Sequence, residues 1–262
     1  HQYRRALDDH ADNAVKQAAT PRFDAAGHLA ALAADPPRWP GRTEDLSTLE
    51  LELTISPASW LGQARGMVMG DRRITLELLD YPGEWLLDLP MLDQGFAEWS
   101  RETLARLRVG RRAEAAAEFL AFVDALPPRA TAEEALAREG FRLYRAALLR
   151  LRDRMGFRFL QPGRALNPGP RGEAPLLWFF PLPEGHEGGL SELLRRRHAA
   201  YLDDQRAAFF DPVFRRFHRQ VVLVVALGAL HAGEQAFDDT AEALSAIARA
   251  LRQGGGWLDL LT

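Results

Sequence analysis

The chain has 262 residues, of which 47% are hydrophobic and 26% are charged, a composition typical of a globular protein. Its net charge of −3 provides no general attraction for nucleic acid or anionic lipid. The absence of cysteine excludes disulfides, thiolate catalysis and cysteine-ligated metals. No signal peptide is visible, and the longest apolar run, 221–230, has about half the length that a membrane-spanning helix needs. We therefore expect a cytoplasmic protein without a transmembrane segment.

The beginning of the chain is predicted to be helical. Residues 1–20 carry a weak helical stripe, and a second short helix is predicted at about 24–34. The first helix opens without a cap or a preceding turn, so we expect the chain to be a fragment of a longer gene product.

Two strands follow. Residues 47–56 alternate strictly between apolar and polar side chains, and residues 72–79 repeat the pattern and end at Asp80. Two successive alternating strands most simply pair antiparallel, although the connection between them is too long for a tight hairpin.

From residue 93 to about 215 the pattern becomes helical, and its apolar stripes predict a packed core. Thr131 and Glu134 have the spacing of a capping box, and a short strand is predicted at 176–180. A third firm strand is predicted at 220–226, because its continuous β-branched run is typical of a strand buried on both faces of a parallel sheet. Asp239 and Glu242 then predict the start of a helix. This order indicates an α/β fold.

Several kinds of site are not expected. The chain contains neither a G-x-S-x-G elbow nor a G-x-G-x-x-G turn, which argues against serine-hydrolase and dinucleotide sites. Its seven histidines show no pairing with acids that suits zinc. The arginine clusters at 195–198 and 215–219 are interpreted as solvated helix faces rather than as a nucleic-acid site.

The end of the second strand carries the strongest functional pattern. Asp80 and Gly83 form D-x-x-G, which in P-loop nucleotidases follows a buried strand. There the carboxylate holds Mg²⁺ and the glycine amide meets the γ-phosphate. Small GTPases add a threonine from the loop before the preceding strand, a part that Thr43 could play here, with Ser47 and Thr48 as alternatives.

The chain resembles the YcjX-like family of bacterial P-loop NTPases. The similar segments are 21–24, 39–43, 79–90 (LDYPGEWLLDLP), 97–100, 160–164 (LQPGR) and 219–223. The resemblance implies a GTPase-like core with a mixed, mostly parallel sheet, formed by 1–92 and 216–262 and interrupted by a mostly helical insertion, 93–215. It also implies GTP or GDP as the ligand, with ATP as the alternative, and Mg²⁺ as the metal.

The same resemblance implies roles for the residues after Asp80. Glu84 holds the place of the residue that orients the attacking water, with a salt-bridged turn residue as the alternative interpretation. The residues from Trp85 to Leu89 would then pack differently in different nucleotide states, or simply belong to the core.

Two elements of the family pattern are missing from the sequence. No G-x-x-x-x-G-K-[ST] loop is present, Lys16 is the only lysine, and no base-reading [T/N]-K-x-D element is found. We therefore expect this chain alone to be inactive and the full-length protein to bind nucleotide.

Two functions remain open. One is a nucleotide-hydrolysing switch whose helical insertion carries the output to a partner protein, and the family resemblance implies a stress-associated role with a membrane-proximal partner. The other is a non-catalytic interaction scaffold on a degenerate NTPase core.

Overall fold

The computed structural model describes residues 21–55, 72–170, 172–211 and 217–253. The chain divides into two compact units, His1–Pro82 and Gly83–Thr262. The boundary falls inside the D-x-x-G pattern, between Pro82 and Gly83. The division into a core of 1–92 with 216–262 and an insertion of 93–215 stays a prediction.

The described helix of the first unit is α1 (Ala25–Leu32). It begins after Asp24, whose side chain accepts a hydrogen bond from the amide of Gly27 at 2.9 Å and so caps the helix. This helix confirms the one predicted at about 24–34. The helix predicted at 1–20 lies outside the described residues.

The sheet of the first unit is formed by β1 (Ser47–Ile55) and β2 (Arg72–Asp80), which pair antiparallel as their alternation predicts. Paired residues share a face, so one face is lined by the apolar pairs Leu49–Leu78, Leu51–Leu76 and Leu53–Ile74. Ser47 lies opposite Asp80 at the end of this face.

The mostly parallel sheet predicted from the sequence is not supported. Within the described ranges the sheet has two antiparallel strands, and the one parallel contact is an isolated bridge between Arg22 and Thr48. The predicted strand at 220–226 is also wrong: residues 220–225 have no regular secondary structure, and α8 (Ala226–Ala232) begins at the end of the run. A β-branched run has the composition of a strand, but a strand also needs a neighbour that shares its ladder of hydrogen bonds.

The second unit is mostly helical. It begins with a 3₁₀ helix, Gly83–Met91, called here the 3₁₀ helix 83–91. The α-helices that lie between this element and α8 are α2 (Phe96–Leu107), α3 (Gly110–Ala115), α4 (Ala117–Asp124), α5 (Glu134–Met155), α6 (Gly163–Leu166) and α7 (Gly189–Gln205). A π-helical turn, Arg206–Phe210, follows α7, and α9 (Glu234–Gln253) follows α8. None of the described helices is long and apolar enough to cross a bilayer.

Local signals in this unit were only partly correct. The strand predicted at 176–180 is wrong, because Pro175 starts a short 3₁₀ turn, Pro175–Leu177, that is followed by irregular chain. The predicted capping box is also wrong: α5 is preceded by Glu133, and the Thr131 hydroxyl donates to the Glu133 carboxylate at 2.6 Å.

The helical unit has the packed core that the apolar stripes predict, and an aromatic cluster lies within it. The ring of Trp99 on α2 lies 6.3 Å from Tyr144, 5.4 Å from Phe179 and 5.2 Å from His198, between centroids. All four residues are almost completely buried. Burial lowers the pKa of His198 to about 4, so this imidazole packs as a neutral ring at physiological pH.

Helix α9 is attached to the other helices by a buried ion pair. Asp239 was predicted near the start of this helix, but α9 begins at Glu234 and Asp239 lies inside it. Its carboxylate accepts hydrogen bonds from Arg112 of α3 and from the amides of Arg158 and Phe159, at 2.6 and 2.9 Å for the two amides. Since both charged side chains are almost entirely buried, neither can turn to water if the other is lost.

We expect Asp239→Ala to lower the free energy of unfolding by about 3–5 kcal/mol, because it leaves the Arg112 guanidinium buried without its partner. Urea unfolding followed by circular dichroism measures this loss. The matched control is Glu242→Ala on the same helix, whose partner Arg106 lies 3.1 Å away at a more exposed position. The control should lose less than about 1 kcal/mol, and equal losses in the two variants would contradict the role of the buried pair.

Candidate functional site

Asp80 and Thr43 come together in the first unit. Asp80 is the last residue of β2, and Thr43 lies in the irregular chain before β1. The Thr43 hydroxyl donates a hydrogen bond to Oδ2 of Asp80 at 2.9 Å. Two residues separated by 37 positions thus present a hydroxyl and a carboxylate at one place.

The two alternative hydroxyls are placed differently. Ser47 is paired with Asp80 across the antiparallel ladder, on the same face of the sheet. Thr48 is paired with Leu79 and so points to the opposite face, while its backbone bonds to Pro21 and Phe23. The geometry therefore favours Thr43 as the hydroxyl next to Asp80, and Ser47 remains the alternative.

Gly83 and Glu84 are the first residues of the 3₁₀ helix 83–91 in the second unit. Gly83 is exposed, and a side chain placed there would meet no atom within 4 Å. The Glu84 side chain is about one quarter exposed, and its Oε1 lies 3.9 Å from Nη1 of Arg152 on α5. This loose ion pair leaves the Glu84 carboxylate partly accessible.

The rest of the 3₁₀ helix 83–91 is buried. The buried residues are Trp85, Leu86, Leu87, Asp88, Leu89 and Met91. Asp88 is the only acid among them, and its carboxylate is completely inaccessible to water. The Tyr201 hydroxyl of α7 donates to Oδ2 at 2.5 Å, and the amide of Gly163 donates to Oδ1 at 2.7 Å.

These contacts do not fully offset the loss of water around Asp88. Burial raises its pKa to about 6, while the hydrogen bonds from Tyr201 and Gly163 and the nearby Arg164 guanidinium act in the opposite direction. Burial also raises the pKa of Tyr201 well above its ordinary value, with the Asp88 charge adding to the effect. Tyr201 is therefore a hydrogen-bond donor at any physiological pH.

Helix α6 packs directly against the start of the 3₁₀ helix 83–91. A methyl group on Gly163 would lie 2.0 Å from the carbonyl oxygen of Glu84, far inside van der Waals contact. The Arg164 guanidinium lies 3.5 Å from the centre of the Trp85 ring, and the Trp85 indole donates to the carbonyl of Asn167 at 3.0 Å. The LQPGR segment, which carries part of the family resemblance, therefore packs against Glu84 and Trp85.

Asp88 and Tyr201 were not among the candidate residues predicted from the sequence. An aspartate inside the run Leu86-Leu87-Asp88-Leu89 could have indicated a buried polar site, because a carboxylate among buried leucines needs hydrogen-bond donors. The identity of those donors, Tyr201 and Gly163, carries no local signal, since they lie 113 and 75 residues further along the chain.

The oxygen atoms of Thr43 and Asp80 fit the metal that the family resemblance implies. Mg²⁺ prefers oxygen ligands, and in nucleotide sites it takes only one or two from the protein and the rest from phosphates and water. In the part of the chain that the structure describes, no three His, Cys, Asp or Glu residues form a larger metal-binding group. The Thr43 hydroxyl and the Asp80 carboxylate are oxygen ligands of the kind that Mg²⁺ accepts.

The buried state of Asp88 predicts a pH-dependent stability. A raised carboxyl pKa means that the stabilising contribution is present below the ordinary value of 3.8 and is lost as the pH rises through about 6. We expect the free energy of unfolding of the wild type, relative to Asp88→Asn, to fall by roughly 3 kcal/mol between about pH 4 and about pH 7. Urea unfolding of both proteins over this range measures the difference, and a constant difference would contradict the buried, ionisable carboxyl.

Comparison with known proteins identifies the family of the chain. The YcjX-like family, DUF463, matches residues 3–261. Ras-like GTPase YcjX of Escherichia coli (strain K12) is 36% identical over 246 residues, which cover 89% of this chain and 52% of that protein. Ras-like GTPase YcjX of Shewanella oneidensis is 34% identical over 243 residues, covering 88% and 50%. The chain spans about half the length of these curated relatives. The match over almost all of its residues confirms the resemblance: the chain belongs to the YcjX-like family.

Proposed function

We propose that the complete gene product is a Mg²⁺-dependent nucleotide-hydrolysing switch that uses GTP in preference to ATP. The preference is supported by the relatives, which are named Ras-like GTPases. Asp80 and Thr43 bind the metal, the amide of Gly83 contacts the γ-phosphate, and Glu84 orients the attacking water.

The observation that carries this proposal is the hydrogen bond between Thr43 and Asp80. In small GTPases a threonine before one strand and an aspartate at the end of the next share one Mg²⁺. Here a hydroxyl and a carboxylate in those two positions lie 2.9 Å apart. Mg²⁺, when bound, would neutralise charge that develops on the phosphate oxygens.

Glu84 supplies the remaining chemistry. It follows Gly83 directly, and its carboxylate is accessible enough to accept a hydrogen bond from a water molecule. Arg152, at 3.9 Å, offsets part of its negative charge, which eases the approach of a carboxylate to an anionic phosphate.

A second candidate function is a non-catalytic interaction scaffold on a degenerate NTPase core. In this case the helical unit would bind a partner protein whatever the nucleotide. In the switch hypothesis the same helices pass the nucleotide state to that partner.

Titration calorimetry of the complete gene product with GTP and Mg²⁺ separates the two functions. We expect binding in the wild type and at least tenfold weaker binding in Asp80→Ala, because the metal loses a ligand at a site dominated by charge. Thr48→Ala, which removes a hydroxyl from the opposite face of the sheet, is the matched control and should retain binding. The switch hypothesis is refuted if the folded wild type gives no heat at millimolar nucleotide.

A separate prediction concerns Glu84. Replacement by Ala removes the carboxylate that orients the attacking water, so turnover should fall by about 10²-fold or more while the Kd for GTP changes little. Single-turnover phosphate release together with nucleotide titration measures both quantities. Unchanged turnover would leave Glu84 as a salt-bridged residue of the helix start.

A further inference from the structure

Asp88 lies about one turn beyond Glu84 on the same element. A 3₁₀ helix has three residues per turn, so the two side chains belong to successive turns of a rigid segment. Because the Asp88 carboxylate is completely buried and is occupied by Tyr201 and Gly163, any contribution that it makes to turnover acts through other residues.

Gly163 connects Asp88 with Glu84. Its amide donates to Asp88 at 2.7 Å, and its Cα packs so closely on Glu84 that a methyl group would lie 2.0 Å from the Glu84 carbonyl oxygen. A displacement of Asp88 is therefore passed to Gly163 and from there to the backbone of Glu84.

One face of α7 and of the turn that follows it also contacts this arrangement. Tyr201, Gln205 and Phe209 follow at intervals of four residues, which places them along one side of a helical segment. Tyr201 binds Asp88, Gln205 accepts a hydrogen bond from Arg164 at 3.2 Å, and Phe209 packs edge-on against Trp85 at 5.1 Å. All three are nearly completely buried.

We propose that Asp88 and Tyr201 are a positioning pair that fixes the backbone of Glu84 for catalysis. This inference rests on the proposed function, in which Glu84 orients the attacking water. A hydrogen bond between a carboxylate and a phenol is short and directional, so it sets the position of the 3₁₀ helix 83–91 more narrowly than leucine packing does. Helix α7 thereby contributes to turnover without touching the nucleotide.

A purely structural role of the pair makes a different prediction. In that case the loss of the Tyr201 hydroxyl lowers the stability of the folded protein but leaves the turnover of the folded molecules unchanged. Tyr201→Phe tests this difference, because it keeps the ring and its packing and removes only the donor to Asp88.

The control is Ser100→Ala. Ser100 is about as deeply buried as Tyr201, and its hydroxyl accepts a hydrogen bond from the amide of Leu182 at 3.3 Å, a residue outside both the LQPGR segment and the 3₁₀ helix 83–91. In the complete gene product we expect Tyr201→Phe to lower kcat for GTP about tenfold with KM unchanged. Ser100→Ala should keep kcat within about twofold of the wild type, although it also loses stability.

The decisive comparison repeats Tyr201→Phe in a Glu84→Ala background. A pair that acts through the Glu84 side chain has nothing left to position there, so the second change should not lower kcat further. The same fold-loss in both backgrounds, or equal losses of kcat in Tyr201→Phe and Ser100→Ala, would overturn the positioning role.

Trp85 provides a readout that needs no turnover. Its indole lies between Arg164 and Phe209, and subtraction of the spectrum of a Trp85→Phe variant isolates its fluorescence from that of the other tryptophans. Tyr201→Phe should change this emission and Ser100→Ala should not. An unchanged Trp85 signal, with turnover still dependent on Glu84, would refute only the positioning pair. Absent GTP turnover in the wild type, or full turnover in Glu84→Ala, would refute the proposed function and the positioning role with it.

Discussion

The buried carboxylate of Asp88 is the constraint on which the arrangement of the second unit around the 3₁₀ helix 83–91 depends. A carboxylate without water must receive hydrogen bonds, and these come from Tyr201 of α7 and Gly163 of α6. One residue therefore fixes the relative placement of three elements that are distant in sequence. The leucines around it provide burial, but burial alone would allow the segment to slide or rotate among similar apolar contacts.

The local structure was predictable where it follows from neighbouring residues. Strict alternation predicted β1, β2 and their antiparallel pairing, because successive side chains of a strand point to opposite faces. The helix predicted at about 24–34 is also a local feature, because Asp24 caps it by accepting a hydrogen bond from the amide of Gly27, three residues further on. The strand predicted at 220–226 is wrong because the β-branched composition is typical of a buried strand but contains no information about whether a neighbouring strand is present.

For the candidate site, the D-x-x-G pattern pointed to Asp80 and Gly83, the comparison with small GTPases pointed to Thr43, and the family resemblance pointed to Glu84. The structure brings the Thr43 hydroxyl to Asp80, while the roles of the four residues stay predictions. The support behind Glu84 was not visible in the sequence, because it depends on contacts between residues 75 and 113 positions apart. Tertiary contacts of this kind also decided against the predicted cap at Asp239, which serves as the buried partner of Arg112 instead.

The absence of a side chain at Gly163 has a mechanical consequence. The close packing of its Cα on the Glu84 carbonyl resists any movement that brings α6 and the 3₁₀ helix 83–91 nearer to each other, while the hydrogen bond from its amide to Asp88 resists their separation. Gly163 thus provides both a close steric contact and a hydrogen bond, so the distance between the two elements can neither decrease nor increase easily. A displacement of the start of the 3₁₀ helix 83–91 toward or away from α6 therefore requires α6 to move with it.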